Sequence, residues 1–346
     1  MNLFSRFVFL LVALLLAACG KEPLYQEQAY VFGTQVDVTI YGAEEAKAKQ
    51  AIVLVMREFQ RLHDELHAWK PSELSALNNA IAHGKSMRVS PELAAMLADA
   101  ARVSAQSDRL FNPAIGGLIQ TWGFQADDFK AVMPDKVKIA ALVKANPQMS
   151  DLVIAEDGEV RSRNRSVKID LGGYAKGYAL DRAAEILKHE GIRNALINIG
   201  GNVMALGTHG SRAWRVGIQH PRKPGPLATL ELHDGEAIGT SGDYQRYFEL
   251  DGKRYCHLID PRNGYPVQGV QAVTILTHGE HAGLQSDASS KPLYISGTTG
   301  WLAAAQKMRI DEALLVDADG VVHLTAAMQK RLEFTDSKTV HKVEPR

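Results

Sequence analysis

The sequence predicts an α+β fold. Helical periodicity dominates the first half of the chain, and strands alternating with turns fill the second. Helices and hairpins mix without a regular βαβ rhythm. With 346 residues, 46% of them apolar and 23% charged, the chain can bury a large core as one domain or as two lobes.

The first residues read as a targeting segment. Arg6 supplies a small basic region, and Phe7 to Ala18 form an apolar run too short to span a bilayer permanently. The run ends in Leu16-Ala17-Ala18-Cys19-Gly20, which resembles a bacterial lipoprotein cleavage site. That resemblance implies a signal peptide over residues 1–18, a lipidated Cys19 and a polar tether over 19–28. The anchor would sit in the cell envelope and face the periplasm, with inner and outer membrane both open. Once Cys19 is acylated only Cys256 remains, so no intramolecular disulfide can form. Lysine plus arginine equals aspartate plus glutamate at 39 each, which argues against nucleic acid as a bulk electrostatic partner.

Tyr30 to Tyr41 alternates and reads as a strand, with Phe32-Gly33-Thr34 as a bulge-like interruption. Ala43 to Leu66 reads as a long helix with Ile52, Val55, Met56, Phe59 and Leu62 on its apolar face. Ser72 and Ser90 read as N-caps of two further helices, the second spanning Pro91 to Ser107. Leu110–Gly116 and then Leu118–Phe124 with Trp122 follow, and helical propensity continues over Asp135–Lys144. Strands are expected near 152–155, 167–171, 195–199, 214–218, 228–232, 237–240, 246–250, 255–259, 272–276 and 313–316. Helices are expected at 179–189 and 299–307, and the tail over 335–346 reads as polar and disordered.

One stretch organises the rest: Asp170-Leu171-Gly172-Gly173-Tyr174-Ala175-Lys176-Gly177, an apolar strand turning through two glycines into a helix. Glycines there let backbone N–H groups approach a ligand, and a helix N-terminus favours anions. It is neither a Walker A loop nor a dinucleotide fingerprint, and alone it is weak. Asn198-Ile199-Gly200-Gly201, His257-Leu258-Ile259-Asp260-Pro261 and Ser286-Asp287-Ala288-Ser289-Ser290-Lys291-Pro292 are further motifs. Each has a plain structural reading as a turn or cap.

Together, and with Trp122-Gly123-Phe124, these motifs resemble the ApbE-type flavin transferases, the FAD:protein FMN transferases, over nearly the whole chain after the leader. The resemblance implies a two-lobed single domain over residues 29–334, with mixed and antiparallel sheets flanked by helices and an FAD cleft between the lobes. It implies that a divalent cation, usually magnesium, bridges the FAD pyrophosphate. FMN then passes to a threonine or serine hydroxyl of an acceptor protein and AMP leaves. Two other readings stay open: an FAD pyrophosphatase giving FMN and AMP, and a non-catalytic FAD-binding lipoprotein assisting a membrane redox complex.

By the same resemblance Phe32, Trp69, Leu110, Phe111 and Asn112 contact the flavin or nucleotide, and Asp170, Gly173, Lys176, His257 and Ile259 complete the FAD site. His257 is the general base, which suits an imidazole near neutrality. Asn112 stands where the pattern has an Asp, removing one negative charge. Gly173, Asp287, Ser290 and Lys291 fall on the metal site, with Asp287 also catalytic. Lys291 stands where that site has a threonine, and a protonated lysine cannot ligate a cation. Three arrangements are open. Asp287 could hold the metal with carbonyls and the Ser289 or Ser290 hydroxyl, Lys291 could sit on the phosphate, or Lys291 could pair with Asp287. Pro292 biases Lys291 away from helical geometry.

Overall fold

Alternation builds the centre of the molecule. In Thr34–Tyr41, Val36, Val38 and Ile40 are buried while their neighbours are not, and Ala195–Ile199 repeats the pattern. Both strands belong to a nine-stranded sheet. In order across it lie Leu24–Val31, Thr34–Tyr41, Ala195–Ile199, Asn202–Leu206, Ala237–Gly242, Val270–Thr277, Glu312–Asp317, Val322–Thr325 and His341–Glu344. Spatial order is therefore chain order. Neighbours pair antiparallel except the last, which runs parallel to Val322–Thr325. The computed structural model describes residues 23–126 and 128–345. The leader and Cys19 lie outside the described residues, among which no helix is long and apolar enough to cross a membrane.

Helices cover one face of this sheet, and the strands Trp214–Gln219, Pro226–Leu232 and Glu333–Phe334 cover the other. Val270–Thr277 is accordingly buried along its whole length. Val273 and Ile275 enter the helix-side core, and Ala272 and Leu276 the opposite one. A smaller lobe forms where Leu118, Trp122, Phe124, Ile139, Phe248 and Ile259 cluster, on the helices Gly116–Thr121 and Lys136–Ala145 and the hairpin Tyr247–Leu250 with Lys253–Cys256. The expected α+β class and two-lobed body are thus present, with a cleft between the lobes.

Several local expectations change. Phe32 and Gly33 both have positive φ, 56° and 68°, so the supposed bulge is a two-residue hairpin turn. The first strand of that hairpin, Leu24–Val31, takes up the second half of the expected tether. Residues 167–171 form no strand. Their backbone bonds to the loop Pro113–Gly116 on one side, and the Asn78 amide brackets Ile169 on the other. The helix after the two glycines starts at Ala175, four residues earlier than expected, and the strand before His257 ends at Cys256. The last long helix runs from Ser290 to Met308 with a break at Gly297. Pro292 lies in its first turn, where the missing N–H has no helical partner to lose, so Lys291 is helical after all. The tail carries the strand His341–Glu344, not a disordered end.

Candidate active site

The chemistry gathers at the N-terminus of the helix Ala175–His189. Asp170 Oδ1 accepts the Gly172 N–H at 2.9 Å and holds the glycine turn. Gly177 has no room for a side chain: a Cβ there would lie 2.5 Å from the Gly283 carbonyl and 2.7 Å from Asp287 Cβ. That close approach brings the helix Ala282–Ala288 alongside, and the Gly177 N–H donates to Asp287 Oδ2 at 3.0 Å. Asp181, further along the same helix, accepts the N–H groups of Gly283 and Leu284 at 2.8 Å each, satisfying two otherwise free donors.

The cleft beside this junction has a volume of about 420 Å³, within the range of small-molecule sites. Among the described residues, Lys70, Lys176, Arg246 and Lys291 line it against a single carboxylate, Asp170. The helix N-terminus adds positive potential, so the cleft suits an anion. Every residue expected to contact FAD lines it; Asp287 and Ser290 do not.

His257 sits at the lobe junction in a T-shaped contact with Phe124, ring centroids 6.4 Å apart. Its Nδ1 lies 3.2 Å from the Arg246 carbonyl oxygen, which can only accept, so Nδ1 carries the proton and Nε2 keeps its lone pair. Burial, then the charges of Arg246 and Lys176, hold its pKa down at about 3. The imidazole is therefore neutral and a proton acceptor at pH 7. Arg246 is fixed by donating to the Phe124 carbonyl at 2.8 Å.

Opposite the cations is a wall of rings. Phe32, on its left-handed backbone, meets His63 edge-on at 5.9 Å; His63 meets His67 at 5.1 Å, and His67 meets Trp69 at 4.6 Å. Trp69 is 39% exposed, so a planar ligand could cover it. Sequence reasoning missed His63, His67, Lys70, Gln245 and Arg246 as cleft residues. The i,i+4 spacing of His63 and His67 beside Trp69 was the available signal. Asn112 lines the cleft, but its amide donates to the Pro147 carbonyl at 2.9 Å and its oxygen accepts the Ala114 N–H at 3.1 Å. An aspartate could not make the first of these bonds, so Asn112 shapes the loop that presents Leu110 and Phe111.

The model of the ApbE family matches residues 32–315. The chain belongs to the ApbE family. An FAD:protein FMN transferase of Rhodobacter capsulatus is 41% identical over 317 residues, covering 92% of this chain; the chain spans 60% of that protein's length. One from Klebsiella pneumoniae (strain 342) is 29% identical, covering 92% of this chain and 97% of its own. The crystal structure of the ApbE protein of Thermotoga maritima superposes with a TM-score of 0.81 at 26% identity, over 89% of this chain and 99% of that one. Pseudomonas stutzeri flavinyl transferase ApbE, in its apo form, gives 0.77 at 26% identity, over 90% and 98%.

In this ApbE-family chain the expected cation ligands are already engaged. Asp287 is fully buried; Lys291 Nζ pairs with its Oδ1, and Gly177 holds Oδ2. Burial would raise the Asp287 carboxyl, but Lys291 and Lys176 outweigh it and hold the pKa at about 2. Ser290 Oγ donates to the Asp287 carbonyl at 2.7 Å and therefore accepts from Ser241 Oγ, also at 2.7 Å. A Cβ on Gly173 would meet Lys291 Cε at 3.2 Å, so the lysine stem occupies the space beside the Gly173 backbone. A divalent cation needs open oxygen ligands at this point. An ammonium stands there instead, so the residues do not fit a magnesium ion. Asp287, expected to be catalytic, lies beneath the cleft with Lys291 and the Gly177 N–H as its partners.

Proposed function

We infer that this chain is an FAD:protein FMN transferase, moving FMN from FAD to a hydroxyl of an acceptor protein with release of AMP. Membership of the ApbE family and the names of its relatives support the reaction class. The observation in this molecule that carries it is His257. It is a neutral imidazole with Nδ1 locked to a carbonyl and Nε2 left to accept a proton, in a cleft lined by cations.

The ring wall of Phe32 and Trp69 takes the planar part of FAD, and the backbone around Gly173 with Lys176 and Arg246 takes the pyrophosphate. His257 Nε2 removes the proton of the acceptor serine or threonine hydroxyl. The hydroxyl oxygen forms a bond to the FMN phosphorus as the pyrophosphate bond to AMP breaks. Lys176 and Arg246 balance charge on the phosphate oxygens. Anchoring through a lipidated Cys19, facing the periplasm, is part of the same reading. It expects Cys19→Ser to shift the protein from the membrane pellet to the soluble fraction.

The test incubates the protein with FAD and candidate periplasmic redox proteins, following FMN adducts by intact-mass spectrometry and AMP by chromatography. The expected result is an adduct on one acceptor, lost by a factor of about 10²–10⁴ in His257→Ala with an unchanged circular dichroism spectrum. AMP without an adduct from any acceptor would replace transfer by FAD hydrolysis. Bound FAD without either product would leave a flavin-binding protein without turnover.

A further inference from the structure

We propose that Lys291 is a built-in counter-cation for the ligand pyrophosphate, and that this site works without a divalent metal. The inference rests on the FAD reading of the cleft. Lys291 lines the cleft, while its partner Asp287 lies wholly beneath the surface. An ammonium has three N–H donors. One goes to the Asp287 carbonyl at 2.8 Å and a second to Asp287 Oδ1, leaving the third for a ligand oxygen. The other Asp287 oxygen is engaged as well, accepting the Gly177 N–H at 3.0 Å. Ser290 is equally committed, to Ser241 and to the Asp287 carbonyl. Among the described residues, no group of three or more His, Cys, Asp or Glu side chains is placed to hold a metal elsewhere.

The arrangement also explains why a lysine can be buried here. An isolated ammonium in this position would be strongly penalised, and an ion pair with further hydrogen bonds offsets that penalty. Asp287 is the positioning residue, and Lys291 is the group that touches the ligand. Lys176 lies in the first turn of the adjoining helix and lines the same cleft, so two ammonium groups face the two phosphates of FAD.

The test uses the full chain in detergent. FAD affinity is read by flavin fluorescence in EDTA and in magnesium chloride, Mn²⁺ binding by electron paramagnetic resonance, and transfer by intact mass. For the natural chain, EDTA and magnesium give FAD affinities within about twofold of each other, and no tight Mn²⁺ site forms with or without FAD. Lys291→Thr loses about ten- to a hundredfold of FAD affinity in EDTA, regains it in magnesium, and acquires one Mn²⁺ site. Lys291→Met alone leaves Asp287 buried without its partner. The double change Asp287→Asn, Lys291→Met therefore serves as the folded control, with weak FAD binding that magnesium does not restore. One tight Mn²⁺ equivalent on the natural chain, or collapse of its FAD affinity in EDTA, would overturn the proposal. Absence of transfer in every buffer would overturn the function above instead, and the Mn²⁺ titration of the natural chain still decides the present inference.

Discussion

At the scale of single residues, the site works by committing polar atoms. His257 Nδ1, both Asp287 oxygens and the Ser290 hydroxyl each have a protein partner, so only chosen atoms remain for a ligand. The imidazole has a further consequence. Burial and the cations beside it hold its pKa at about 3 against an ordinary 6.5, so the free protein keeps a neutral base far into acid. The acid limb of kcat/KM for transfer is therefore expected below about pH 5, where an ordinary histidine would lose activity through pH 6.5. A pH profile of kcat/KM checks this, and an acid limb centred near 6.5 would contradict the packing described. The place of His257 in the cleft was legible from its motif, but its protonation was not. That depends on Arg246 and Lys176, which approach from other elements.

At the scale of elements, the decisive contact is between the helices Ala175–His189 and Ala282–Ala288. They touch because Gly177 and Gly283 leave no side chain between them; a Cβ on Gly283 would lie 2.7 Å from the Gly177 carbonyl. Gly177→Ala is expected to destabilise the fold by about 1–3 kcal/mol, read as a lower urea midpoint. Because the same residue donates to Asp287, FAD affinity should fall as well. An unchanged midpoint would mean the helices can separate without loss. The long amphipathic helices and the Ser72 and Ser90 caps were readable from period and composition. The Ala282 helix was not. It is short, buried and rich in small residues, so it shows no amphipathic period. Leu24–Val31 and His341–Glu344 were missed for the opposite reason. As exposed edge strands they carry polar residues that read as tether and tail.

At the scale of the whole molecule, the last strand closes the large sheet and is tied by His323. Its Nδ1 lies 2.7 Å from Glu344 and its Nε2 2.9 Å from Asp317. Burial lowers the His323 pKa, but bonds to Glu344 and Asp317 outweigh it, and the net shift is upward from 6.5. The protonated form is thus the one that folding favours. Its stabilisation is fully present below pH 6.5 and is lost as pH rises through the higher folded-state value. Amide exchange of residues 341–344 is expected to quicken over that range, and His323→Gln should abolish the dependence.

What the sequence determined by itself was the class of fold, the run of long elements and part of the cleft lining. Periodicity is a local property, and the glycine turn and the His257 motif keep their chemistry within a few residues. Only the tertiary structure decided how the Asp287–Lys291 site is wired. Lys291 in place of threonine was visible as a departure, with three arrangements open. The choice among them depends on the pairing of Lys291 with Asp287 Oδ1 and on Gly177, which lies 110 residues before Asp287 and donates to its other oxygen. A buried carboxylate takes its partners from whatever the fold brings beside it, and here the fold brings an amide and an ammonium.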